Sequence, residues 1–257
     1  MTRGTPTASP ATSPMLTRIL TTALLAGAAA GLLAALLQLW FVQPVLIHAE
    51  MYESGELVHF GGDAASHDRV EGEAHEHAAP HSHDSDASRA VLLVLFNVLT
   101  YAGFALVLVG LMSLAEGHGQ QIGPRTGLLW GIAGFVAVML APGFSLAPEV
   151  PGVAAADVAL RQVWWTATVV MAIGALWLVA FGSGLVAWGA AALLLIAPHV
   201  VGAPEPDVLI GPVPPEIGAL FAARVFGVGL AGWALMGLFA GWLWAKDDRA
   251  EETTLTV

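Results

Sequence analysis

Ile19-Leu20-Thr21-Thr22-Ala23-Leu24-Leu25-Ala26-Gly27-Ala28-Ala29-Ala30-Gly31-Leu32-Leu33-Ala34-Ala35-Leu36-Leu37-Gln38-Leu39-Trp40-Phe41-Val42 carries no charged residue over 24 positions. A helix needs about 20 such residues to cross a hydrocarbon core about 30 Å thick. The run is also longer than the roughly 7–15 residues of a signal-peptide core, so it is read as a retained anchor rather than a cleaved leader. Counted from Leu16, it is the first of six apolar runs. The others are Ala90 to Ala115, Gly127 to Ala141, Val158 to Phe181, Leu185 to Ala197 and Ile217 to Ala245. The third is short unless its helix passes Pro142 toward Leu146. The fifth follows the Gly182-Ser183-Gly184 break and is expected to stop at Pro198. The expected fold is an all-α integral membrane protein, a bundle of six transmembrane helices, or five if the fifth run is re-entrant.

Composition agrees with that reading. The chain is 56% hydrophobic and 11% charged, against about 25% charged in soluble domains. Residues 1–15 read as a disordered polar tail, 16–245 as the membrane domain and 246–257 as an acidic tail. The net charge of −11 sits mostly between the first two runs and in that tail, so it describes local fields and no nucleic-acid partner. The absence of cysteine removes disulfides, Cys-ligated zinc and Fe–S clusters, and argues against a soft copper(I) carrier. No Gly-x-x-x-x-Gly-Lys-Ser/Thr string occurs, so ATP hydrolysis by a P-loop is excluded. None of the six runs contains a histidine, which argues against a haem-bearing anchor. The chain is expected not to be an enzyme.

Residues 44–89 hold seven of the nine histidines and ten of the twenty acidic residues. The densest part is His75-Glu76-His77-Ala78-Ala79-Pro80-His81-Ser82-His83-Asp84, with His67 just before it. Imidazole and carboxylate suit divalent first-row metals, and two-residue spacing lets neighbours share an ion in a mobile loop. His48, Glu50 and Glu53, just after the first run, form a second candidate group. On a continuing helix His48 and Tyr52 would share one face and the two glutamates another, so a turn or outside partner would be needed. His199, Glu205 and Asp207 form a third group, in a Pro-rich loop.

Lys and Arg in the short flanks set orientation. With the N-terminus cytoplasmic, Arg3, Arg18, Arg125, Lys246 and Arg249 lie inside. Arg69 and Arg89 lie outside, and Arg161 and Arg224 near the outer ends of the fourth and sixth runs. That places the His-rich loop outside.

A weak parallel repeat relates residues 127–181 to 185–245. Each unit reads as a Trp (Trp130, Trp188), a run ended by Ala-Pro (Ala141-Pro142, Ala197-Pro198), a Pro-Glu step (Pro148-Glu149, Pro215-Glu216), then a long run with an early Arg (Arg161, Arg224). Pro-interrupted segments at matching positions point to a transport path. Expected to line it are Glu149 paired with Arg161, Glu216 paired with Arg224, and also Asn97, Gln162, Glu205 and Asp207. The plainer reading of Asn97 is a hydrogen bond to a neighbouring helix.

Several strings resemble the CbtA family of cobalt-transporter subunits. They include Leu37-Gln38, Gln43-Pro44, Ala49-Glu50, Asn97-Val98-Leu99-Thr100, Pro148-Glu149-Val150-Pro151-Gly152, Arg161-Gln162-Val163-Trp164-Trp165 and Pro198-His199. The resemblance runs in order over about residues 15–245. It implies an inner-membrane, multi-pass cobalt uptake component tied to cobalamin supply, partnered by a small single-span subunit, CbtB. The family is usually described with five spans, against the six read here. Cobalt is part of that implication; the ligand types would accept nickel or zinc as readily. Apart from metal and lipid, no fixed cofactor is expected. Two other classes stay open: a metal-binding membrane sensor or buffer without transport, and an anchor subunit of a larger complex.

Overall fold

In the computed structural model, which describes residues 14–58, 83–207 and 211–255, six helices are long and apolar enough to cross a membrane. They are α1 (Met15–Glu53), α2 (Ala87–Gly117), α3 (Pro124–Gly143), α4 (Val158–Phe181), α5 (Gly184–Val201) and α6 (Pro215–Asp247). The helix of α2 begins at His83 and that of α6 runs on to Leu255. Among the described residues there is no strand. The chain is an all-α multi-pass membrane protein.

α4 has the bounds that its apolar run predicts, and Asp157 starts it by accepting from the Ala159 and Leu160 N–H groups. Two other ends differ from expectation. α1 does not stop at Val42 but continues through Pro44 to Glu53, so the connecting loop is shorter than residues 44–89 and His48 is helical. It passes the proline by widening into a π turn at Gln38–Val42, where the Gln43 N–H bonds to the Gln38 carbonyl. α3 does the same before Pro142, with a π turn at Val136–Leu140 and the Ala141 N–H on Val136. A proline lacks the N–H and crowds the carbonyl four residues back, and a wider turn just ahead of it absorbs that misfit. α5 contains Pro198 inside an unwidened helix and ends only at Gly202, whose φ of +89° a residue with a side chain rarely adopts. His199 is therefore helical too.

Lipid tails are as apolar as leucine, so close backbone packing of small residues holds such helices together. α1 crosses α2 at Gly27 and Gly31: a Cβ at either would lie 2.6 Å from the Cα of Ala102 or Val98. α3 crosses α6 at Gly127 and Gly131 facing Gly237 and Gly241, where an added Cβ would strike the opposing backbone. Tyr101, Met112, Phe135, Trp233, Met236 and Trp244 belong to one continuous core. α5 packs on α4 and leaves Leu185, Val186, Val200 and Val201 exposed.

The two ends of the bundle differ. At the end holding the start of α1, Trp244 is fully buried. The Arg18 guanidinium lies 4.0 Å over its ring and donates to its carbonyl at 2.7 Å. The Trp244 indole in turn donates to Glu116 at 2.8 Å. At the other end Val45 and Ala49 of α1 pack on Val150, Val213 and Ile217, which is what carries α1 beyond Pro44.

Candidate transport site

Both π turns face one cavity. It has a volume of about 410 Å³ and is bounded by α1, α2, α3, α4 and α6. Gln38 and Val42 come from one turn, Val138 and Met139 from the other, and Pro142 with Leu146, Ala147 and Pro148 reach it from the Pro-rich end. Its floor is aromatic: Tyr101 and Phe104 of α2 meet Trp233 of α6, with ring centroids 6.5 and 5.0 Å apart. An interrupted helix recurs at functional sites because its turn re-aims side chains and loosens backbone pairing.

Polar groups line the wall at three heights. Asn97 Nδ2 donates to Gln38 Oε1 and to the Leu93 carbonyl, each at 2.9 Å, tying α1 to α2. Thr100 and Tyr101 follow within one turn of Asn97 and also line the cavity. Arg161, in the first turn of α4, meets Glu149 of the preceding loop, Nη2 to Oε2, at 2.9 Å. Each partner is a little over a quarter exposed, so the pair sits where water meets the bundle and is only partly screened.

The other expected groups lie elsewhere. Arg224 does not pair with Glu216; its Nη1 donates to the Phe41 carbonyl, in the π turn of α1, at 2.6 Å. Eight residues of helix separate the two side chains by about 12 Å along the axis, and Glu216 is exposed at the start of α6. Gln162, one position past Arg161 and so about 100° round the helix, is exposed away from the cavity. Glu205 and Asp207 are exposed in the loop after α5.

Nor do the second and third metal groups converge: among the described residues no three His, Asp or Glu side chains come together. His48 packs on Tyr52 with ring centroids 5.5 Å apart, Glu50 pairs with Arg89 at 3.6 Å, and Glu53 is exposed. His199 Nδ1 bonds Ser145 Oγ at 2.8 Å, between the rings of Phe144 and Trp164. His67, His75, His77 and His81 lie outside the described residues, as does the side chain of His83.

Sequence reading placed Asn97 and Arg161 at this site and missed Gln38, Thr100, Tyr101 and Met139. The signal for Gln38 was available, since an amide inside an otherwise apolar run is costly unless it is paired or faces water. A family model, CbtA, described as "Probable cobalt transporter subunit (CbtA)", matches residues 16–245. No curated protein and no solved structure matches the chain.

Proposed function

The chain belongs to the CbtA family, and from that premise we propose that it forms the membrane path of a divalent-metal uptake system, with cobalt as cargo and cobalamin supply as its use. The observation that carries this reading is the cavity itself. Two helices are widened at the same wall, and polar side chains are collected there in an otherwise apolar bundle. The cavity lies toward the end from which the His-rich and Pro-rich segments emerge. In this reading the N-terminus is cytoplasmic and that end faces outward across the inner (plasma) membrane, as the Arg/Lys distribution favours. His67, His75, His77, His81 and His83 gather metal near the mouth. Glu149 draws it in while holding Arg161 aside. A small single-span CbtB-type subunit completes the assembly. A divalent cation moving inward gains about 4.6 kcal/mol per 100 mV, twice the single-charge value, so the potential suffices as a driving force.

Uptake of radiolabelled cobalt by cells with and without the chain tests the reading. Uptake should depend on the chain and fall in Asn97→Leu at equal membrane abundance. Equal uptake without the chain would remove transport from the account. For orientation, the Cys-free chain takes single cysteines at Ser66 and Gly119; an impermeant thiol reagent should label the first in intact cells and the second only after lysis.

A further inference from the structure

We infer that the cavity carries the cation with its inner water shell intact, holding the hydrated ion through hydrogen bonds rather than through metal–ligand bonds. This rests on the transport reading above. The polar side chains that line the cavity are the amides of Gln38 and Asn97, the hydroxyl of Thr100, the thioether of Met139, the guanidinium of Arg161 and the indoles of Trp165 and Trp233, together with Tyr101, whose hydroxyl lies against Gly232. First-row dications are stripped and held by carboxylate, imidazole or thiolate, and none of those is among the lining side chains. Amide and hydroxyl oxygens instead accept hydrogen bonds, and metal-bound waters are strong donors. Asn97 spends its Nδ2 on Gln38 and Leu93, which leaves its Oδ1 without a hydrogen-bond donor among the described residues.

Size and charge agree. A water molecule takes about 30 Å³, so a six-water shell needs about 180 Å³, less than half of the 410 Å³ present. The Glu149 carboxylate, 2.9 Å from Arg161, offsets the one full charge on the wall, so an approaching cation meets a wall near neutrality. Keeping its waters enlarges the ion, and the cost of bringing a charge into a low-dielectric bundle falls as its radius grows. A bare ion would lose its hydration here, and the one carboxylate beside the wall, Glu149, is already engaged by Arg161.

Hexaamminecobalt(III) separates the two modes, because its six ligands do not exchange and it binds only through its outer surface. In right-side-out vesicles from cells that make the full chain, it should compete with radiolabelled divalent cobalt at concentrations near the half-saturation for cobalt. Equilibrium dialysis of the purified full chain should show binding weakened about tenfold in Asn97→Leu, the worth of one or two hydrogen bonds. Thr100→Val should weaken it too, which guards against misfolding of one variant. Taking the difference between variants cancels any ion held by the acidic loop. Chain-dependent cobalt uptake without competition by the hexaammine complex would overturn the inference and leave the transport reading standing. So would competition confined to nickel and zinc, or to anionic cobalt chelates. Absence of chain-dependent uptake would sink both.

Discussion

Two of the chain's Ala-Pro steps, Ala141-Pro142 and Ala197-Pro198, lie within transmembrane helices near the end that bears the long loops, and they behave differently. Ala141-Pro142 follows a π turn, and a Cβ at the next residue, Gly143, would collide with the Phe226 ring. Arg161 beyond it has a carboxylate partner. Ala197-Pro198 lies in an unwidened helix at the periphery, and Arg224 beyond it reaches across to a carbonyl of α1. The strings are alike, but α3 is clamped on α6 by opposed glycines, while α5 rests mainly on α4 and touches the segment after α3 through His199. A proline in a clamped helix must be absorbed by the backbone, so the turn widens and opens a wall. In α5 the proline sits buried inside a helix without a π turn, and its carbonyl accepts from the Trp164 indole of α4 at 3.2 Å. Position in the bundle, and not the dipeptide, decides whether a proline makes a site.

The sharpest way to break this contrast is at the clamp. Gly131→Val would drive side-chain atoms into the Trp233 backbone, whereas Gly189, on α5, has nothing within 4 Å of an added Cβ. Gly131→Val should therefore lose most folded protein in detergent, a cost of several kcal/mol, while Gly189→Val should elute and melt like wild type. Equal behaviour of the two would mean that α3 is not clamped.

Next in size come the arginines. Arg161→Ala leaves Glu149 without its partner and should cut maximal cobalt uptake by about tenfold or more, with partial recovery in the Arg161→Glu, Glu149→Arg exchange. Arg224→Ala loses a carbonyl contact and should cost less. Glu149→Gln should lower the maximal rate severalfold, and Glu216→Gln, exposed and outside the cavity, should leave it near wild type. A loss in Glu216→Gln equal to that in Glu149→Gln would make the two turns equivalent after all.

The prolines give a smaller effect of opposite sign. Pro198→Ala relieves a helix-interior proline and should raise the melting temperature by a few degrees, the direction expected from a cost of up to about 3 kcal/mol in an undistorted helix. Pro142→Ala should raise stability less, because the π turn already accommodates the ring, and should reduce uptake as the widened turn relaxes. The smallest change in maximal rate belongs to deletion of Asp63–Asp86. That deletion should raise the cobalt concentration for half-maximal uptake and spare the maximal rate. Metal binding by the isolated loop should fade as pH falls below about 6.5, where imidazole takes up a proton and stops being a ligand.

How far such features can be read from sequence depends on what determines them. The six spans follow from length and hydropathy, which act locally, and α4 is bounded where its apolar run is. The Arg161–Glu149 contact was legible because both residues flank one short loop. The continuation of α1 past Pro44 was not, because it depends on Val45 and Ala49 meeting Val150, Val213 and Ile217 from distant segments. Arg224 was assigned a carboxylate because charges are visible in a sequence; the carbonyl it uses, that of Phe41, lies in a π turn ahead of Pro44 on a helix 183 residues away. The helix crossings were legible and went unread: Gly27 and Gly31, Gly127 and Gly131, and Gly237 and Gly241 each form a Gly-x-x-x-Gly string.

The Arg18–Trp244–Glu116 closure has an electrical consequence. On the transport reading, water fills the cavity as far as Tyr101 and Trp233 and conducts, so little of the transmembrane voltage falls across that half of the bundle. Nearly all of it must drop between those rings and Trp244. In that reading a charge on the aromatic floor stands at the edge of a steep field, and the eleven residues of α6 from Trp233 to Trp244, about 16 Å, span most of the electrical work of crossing.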